Sequence, residues 1–168
     1  IAALMSFASF GFLLALLPAA LLGFRVAAAL GPAAAMTWLI LCSLAFYPTE
    51  HLPVLFLSLL ANALIGHRIR SAEDRPRAQT LWLSLGIAAN LAGLAAGRSL
   101  GSVPPGLSFV AFTQIGWLLD QRGAPAGARR FLHYPLLVLF FPHLIAGPIL
   151  RVRDVEAPFA DPATWRVS

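Results

Sequence analysis

The sequence predicts an all-α, polytopic transmembrane helical bundle with a proline-broken or re-entrant segment toward its C-terminal end. Three observations carry this. Of the 168 residues, 59% are hydrophobic and 11% charged, and the mean hydropathy is +0.79. A soluble domain is about 45–50% apolar and about 25% charged, so these residues cannot all be covered by a water-facing shell. The apolar residues also gather into runs near the about 20 residues that a spanning helix needs. All twelve cationic side chains are arginines and lie mostly in short stretches between those runs. That distribution sets membrane topology and does not form a basic face for nucleic acid.

Six segments follow in order. Leu4–Phe24 is an uncharged first run. A signal peptide also begins a chain with an apolar stretch, but this run is long and more spans follow it. Val26–Tyr47 is the second run, and Gly31-Pro32 places its helix at Ala33–Tyr47, since proline suits a helix start and not its interior. His51–Gly66, Ala78–Gly97 and Val103–Leu119 are the third, fourth and fifth segments, the last entered through Pro104-Pro105-Gly106. His133–Leu150 is the sixth and holds Pro135, Pro142 and Pro148. The tail Arg151–Ser168 is polar and reads as an interfacial or loop segment.

Charge orients these segments. The loop His67–Arg77 carries four arginines against Glu73 and Asp74 and is the strongest cytoplasmic signal. Counting back places Pro48–His51 outside, Arg25 at the cytoplasmic face and the N-terminus outside. Counting forward places Arg98–Ser102 outside and Gln121–Arg130 inside. The expected location is a multi-pass position in the inner (cytoplasmic) membrane. A full crossing by His133–Leu150 would put Arg151 and Arg153 outside, against the positive-inside tendency. A segment that enters and returns resolves this, and its prolines permit it, because broken helix survives at membrane depth where protein buries it or a watery cavity faces it.

Few polar side chains lie within the apolar runs. Asn62 and Asn90 are expected to join helices by hydrogen bonds, with cavity lining as the other reading. Gln114 lies in the middle of the fifth segment beside Thr113, and Asp120 at its end could pair with Arg122 or Arg151. Phe109, Phe112 and Gly116 share a helical face, read as packing. His51, His67 and His133 stand at segment ends and read as interfacial. His143 sits deep in an apolar stretch. An intramembrane ionisable residue is a functional candidate, and a neutral imidazole satisfied by a carbonyl is the alternative. No histidine pair has metal-ligand spacing, so no metal is expected. The single Cys42 reads as a buried structural thiol. Phosphate loops, nucleotide fingerprints and serine elbows do not occur in the sequence.

Two stretches carry a family resemblance. Pro105–Asp120, PGLSFVAFTQIGWLLD, is similar to the P-x-G-I-S-F-x-x-F-Q-x-I-x-Y-L-x-D pattern of membrane-bound O-acyltransferases. Tyr134–Arg151, YPLLVLFFPHLIAGPILR, resembles that family's Y-x-x-F-x-x-F-F-P-x-L-I-A-G-P-I-x-R segment, and the alginate O-acetylase-like branch is the nearest in pattern. The resemblance implies transfer of an acyl group, expected to be acetyl, to hydroxyls of an exported or cell-surface polysaccharide. It implies an acyl thioester donor reached from the cytoplasm, no bound cofactor, and a polysaccharide acceptor or periplasmic partner protein. The family's catalytic histidine, a general base toward the acceptor hydroxyl, would lie beyond Ser168. Residues 1–168 are then expected to be the N-terminal part of a single acyltransferase domain, inactive alone. Gly147, Pro148 and Arg151 match motif positions, and with Gln114, Pro142 and His143 they are the candidates for a tunnel or substrate-binding wall. Pro48-Thr49-Glu50 and Arg98–Val103 depart from the family pattern, which puts the extracytoplasmic rim in question. A transporter or channel subunit with a midplane site at the broken helix is the competing reading.

Overall fold

The computed structural model describes residues 10–99, 106–122 and 132–140, and those residues are helical apart from short turns. The first helix opens with a π-helical turn, Phe12–Leu16, that runs into α1, Leu17–Leu30. Pro18 lacks the N–H that would bond the carbonyl four residues back, and the wider turn falls just before it, closed by the Leu17 N–H on the Phe12 carbonyl. The break comes at Gly31, whose φ of 123° is costly for a side-chain-bearing residue, and Pro32 opens α2, Pro32–Phe46. Arg25 is therefore inside α1 and exposed, not in a connection between two spans as the charge count expected. A single arginine does not break a helix, because its propensity is high and its long stem carries the charge outward.

After Tyr47 and Pro48, the short 3-10 turn Thr49–His51 leads into α3, Leu52–Ser71. This helix runs five residues past the expected Gly66. His67 to Arg70 are helical, so the basic stretch is mostly a helix end and only Ala72–Arg75 turn the chain. Arg68 and Arg70 lie in the last turn, where cations oppose the negative end of the helix dipole. Pro76 then begins α4, Pro76–Ser99. The fifth helix, α5, is Leu107–Asp120, started by Gly106 at φ 79°. The sixth expected segment is described only as α6, His133–Leu139. Whether the remainder crosses or re-enters falls on residues 141–150, outside the described part.

Among the described residues, three helices are long and apolar enough to cross a membrane: Phe12–Leu30, Thr49–Ser71 and Pro76–Ser99. Many of their exposed side chains are apolar, including Leu21, Leu22, Val26, Leu57, Leu60 and Leu81, with polar ones such as Arg25, Glu50 and Arg68 also exposed, whereas Asn62, Asn90, Gln114 and Gln121 are buried. This apolar-out, polar-in arrangement suits a hydrocarbon solvent. The protein is an integral membrane protein.

Small residues let the helices approach. A Cβ on Gly23 would land on the Trp38 ring, whose Nε1 donates to the Ala20 carbonyl at 3.1 Å and ties α2 to α1. A Cβ on Gly66 would land on Trp117, and one on Gly86 would come within 2.5 Å of Leu118 Cδ1. Both glycines therefore seat α5 against α3 and α4. Trp117 in turn stacks on Tyr134 of α6, with ring centroids 4.0 Å apart.

Candidate functional site: an amide cluster beneath an apolar cavity

Four polar side chains from three helices meet inside the bundle. Ser58 and Asn62 are four residues apart and share one face of α3. Asn90 comes from α4 and Gln114 from α5. The Ser58 hydroxyl donates to Gln114 Oε1 at 2.9 Å, and Asn62 Nδ2 donates to the same oxygen at 3.0 Å. Asn90 Nδ2 donates to Asn62 Oδ1 at 2.7 Å, and Asn62 Nδ2 reaches back to Asn90 Oδ1 at 3.4 Å.

The direction of this network is set by the helix backbone. Asn90 Nδ2 also donates to the Gly86 carbonyl at 2.8 Å, and Asn62 Nδ2 to the Ser58 carbonyl at 3.0 Å. Carbonyls only accept, so each amide must present its nitrogen to them and its oxygen to its neighbour. Asn62 can then offer Gln114 only an N–H, which fixes Gln114 with Oε1 toward α3. The Gln114 Nε2 must point the other way. It is buried, stands beside the Tyr134 hydroxyl, and makes no hydrogen bond of good geometry among the described residues. The Tyr134 hydroxyl itself donates to the Leu59 carbonyl at 3.3 Å. The buried hydroxyls of Tyr47 and Thr113 likewise find no hydrogen-bond partner among the described residues. An unmet buried polar group costs about 1–3 kcal/mol, so this region carries unspent hydrogen-bonding capacity.

A cavity of about 260 Å³ lies over the cluster. Ser58, Asn62, Asn90 and Gln114 all line it, together with apolar residues such as Leu55, Leu94, Leu107 and Val110. Tyr47 and His51 contribute where α2 hands over to α3. The cavity thus extends from the middle of α3 toward its N-terminal end, away from the arginine-bearing end.

That other end is built differently. Arg70 Nη1 donates to Gln121 Oε1 at 2.8 Å, and Gln121 Nε2 donates to the Trp117 carbonyl at 2.7 Å. Arg122 donates to Gln79 and Thr80, and the Arg68 guanidinium lies 5.8 Å from the Trp82 ring centroid. The arginines of one end thereby staple α3, α4 and α5 together.

Of the sequence candidates, Gln114 is placed at this site. Pro142, His143, Gly147, Pro148 and Arg151 lie outside the described residues. Asn62 and Asn90 do both things foreseen for them, joining helices and lining a cavity. His51 lines the cavity as well, and His133, at the start of α6, is buried. The aromatic face of α5 is not a packing stripe throughout, since Phe112 is 46% exposed while Phe109 packs on the core. Cys42 is buried as expected. Sequence reasoning missed Ser58, Tyr47 and Gly93 as parts of the cavity. The Ser58/Asn62 spacing was the available signal. No group of three or more potential metal ligands occurs among the described residues.

Comparison with known proteins adds the family. The chain is 32% identical over 136 residues to the probable alginate O-acetylase of Pseudomonas fluorescens, an alignment covering 72% of the chain and 27% of that protein. It is 32% identical over 122 residues to the Pseudomonas aeruginosa counterpart, covering 58% of the chain and 24% of that protein. With the peptidoglycan O-acetyltransferase of Helicobacter pylori it shares 28% identity over 200 aligned positions, 89% of the chain and 38% of that protein. The chain thus spans about a quarter of the length of the alginate O-acetylases that it matches. No family model matches it, and no solved structure does. The similarity to these O-acetyltransferases, together with the helical membrane fold, places the chain in the alginate O-acetylase-like branch of the membrane-bound O-acyltransferase family.

Proposed function

We propose that the protein containing this chain transfers an acetyl group to hydroxyls of an exported or cell-surface polysaccharide. The observation that carries this is the 32% identity to a probable alginate O-acetylase across 72% of the chain. The mostly apolar cavity with the amide cluster in its wall supports it, since ligand pockets are largely apolar with a few convergent polar groups. On this reading the donor is an acyl thioester approached from the cytoplasm, beside the arginine-bearing ends of α3 and α4. The acceptor, or a periplasmic partner that carries it, is on the opposite side, toward which the cavity extends. The general base is a histidine outside this chain, and Pro142, His143, Gly147, Pro148 and Arg151 line the route between the two sides.

The test is acetyl-ester content of surface polysaccharide in cells with and without the complete gene. Loss on deletion and return on complementation is the expected outcome. Arg151→Ala and Gly147→Leu in the full-length protein should each abolish return of the ester while membrane insertion is retained. Normal ester content in the deletion strain would overturn the function, and normal transfer by both variants would overturn the route.

A further inference from the structure

Arg68 differs from the other arginines at its end of the bundle. Arg70 and Arg122 reach across to Gln121, Gln79 and Thr80 and hold helices together. Arg68 is exposed, and its guanidinium lies 5.8 Å from the centroid of the Trp82 ring on α4. No carboxylate pairs with it among the described residues. A ring face attracts a cation without neutralising it, so the charge stays available to an anion.

Along both helices from this point the outer surface is apolar. Leu57, Leu64 and Arg68 fall on one strip of α3, because steps of seven and four residues return to nearly the same side of a helix. Trp82, Leu85 and Ala89 make the matching strip on α4. Leu57, Leu64, Leu85 and Ala89 are all exposed. The Arg68–Trp82 contact places the two strips together on the outer side of the α3–α4 seam. From Leu57 to Arg68 the helix rises about 16 Å at roughly 1.5 Å per residue, close to half of the about 30 Å hydrocarbon core. The strip is therefore one leaflet long, and its cation stands at the depth of that leaflet's phosphates. Trp82 suits this depth, since tryptophan favours the membrane–water boundary.

Charge selects among lipids. The stretch His67–Arg77 carries four arginines against Glu73 and Asp74, so the field at this end is positive and favours an anionic headgroup over a zwitterionic one. A soluble anion would use the guanidinium and leave the leucines idle. We infer that the outer side of the α3–α4 seam binds an anionic phospholipid, its phosphate on Arg68 and a hydrocarbon tail along Leu64, Leu57 and Leu85. This goes beyond the acyl-transfer reading and does not depend on it.

The experiment uses the full-length protein in phosphatidylcholine nanodiscs with a trace of phosphatidylglycerol bearing a tail diazirine, crosslinks being located by mass spectrometry. Labelling is expected on α3 between Leu57 and Leu64 and on α4 near Leu85. Unlabelled phosphatidylglycerol should suppress it, whereas added phosphatidylcholine and soluble glycerol phosphate should not. Arg68→Gln should cut labelling of the strip about fivefold, the factor equivalent to about 1 kcal/mol per interfacial arginine. Arg68 is exposed, so this variant should keep the thermal stability of the parent. Arg77→Gln is the control. Arg77 is exposed too, but it stands five residues from Trp82 and so off the strip, and its loss should leave labelling unchanged. Absence of labelling on these helices, equal suppression by phosphatidylcholine, or full labelling of Arg68→Gln would overturn the inference. Suppression by glycerol phosphate would assign Arg68 to a soluble anion, and an equal loss in Arg77→Gln would reduce the effect to general surface charge. Either of these also overturns the site.

Discussion

Asn62 and Asn90 face each other across α3 and α4 as a reciprocal amide pair, with nitrogen–oxygen distances of 2.7 and 3.4 Å. The pair is anchored at one end by the Gly86 carbonyl and opens at the other onto Gln114. Asn90→Leu leaves the Asn62 oxygen without its donor and should destabilise the fold by about 1–3 kcal/mol. Changing both residues to leucine should cost less than the sum of the single changes. A double-mutant cycle read by unfolding in detergent should return a coupling of roughly 0.6–2 kcal/mol. Additive effects would show that the pair does not act as one unit.

Gly66 and Gly93 make a controlled contrast. A Cβ at Gly66 falls on the Trp117 ring, while one at Gly93 falls in open space. Gly66→Ala should therefore destabilise by about 1–3 kcal/mol through overpacking. Gly93→Ala should stabilise α4 by roughly 0.5–1 kcal/mol, because glycine is a poor helix former. Equal thermal stabilities for the two variants would contradict the packing described.

Trp38 reaches across from α2 to the Ala20 carbonyl of α1. Trp38→Phe removes that donor and retains much of the ring. A loss of about 0.5–1.5 kcal/mol is expected, and thermal unfolding of the purified variant measures it. No loss would mean that ring packing on Gly23 alone joins α1 to α2.

Topology is open to direct labelling. With the arginine-bearing ends of α3 and α4 inside, Asp74→Cys should be shielded from an impermeant maleimide in whole cells and react after permeabilisation. Thr49→Cys, at the other end of α3, should react in both. Cys42 is buried and should give little background. Labelling of Asp74→Cys in intact cells would invert the orientation on which the proposed donor and acceptor sides depend.

Much of the architecture was legible in the residues. Gly31-Pro32 marks the α1–α2 break, and the apolar runs locate α3, α4 and α5 to within a few residues. Charge misled at two of the places where the sequence treated it as a boundary. Arg25 lies within α1, and His67 to Arg70 extend α3, because arginine is a good helix former and a charge near a helix end is tolerated, even favoured. Gln114 could be singled out as polar within an apolar run, but its partners could not.

The sequence by itself determined that this chain lives in a membrane, roughly where α2 to α5 lie along it, and which family its two motif stretches resemble, since those follow from hydropathy, chain-breaking residues and local pattern. The tertiary structure alone decided that Ser58, Asn62, Asn90 and Gln114 meet and that a cavity opens over them. Lipid-facing and core-facing sides of a membrane helix are both apolar, so periodicity does not tell which side is buried. The choice was made by glycine-to-tryptophan and glycine-to-leucine fit between helices and by the need of each buried amide to find a partner, neither of which is local in sequence.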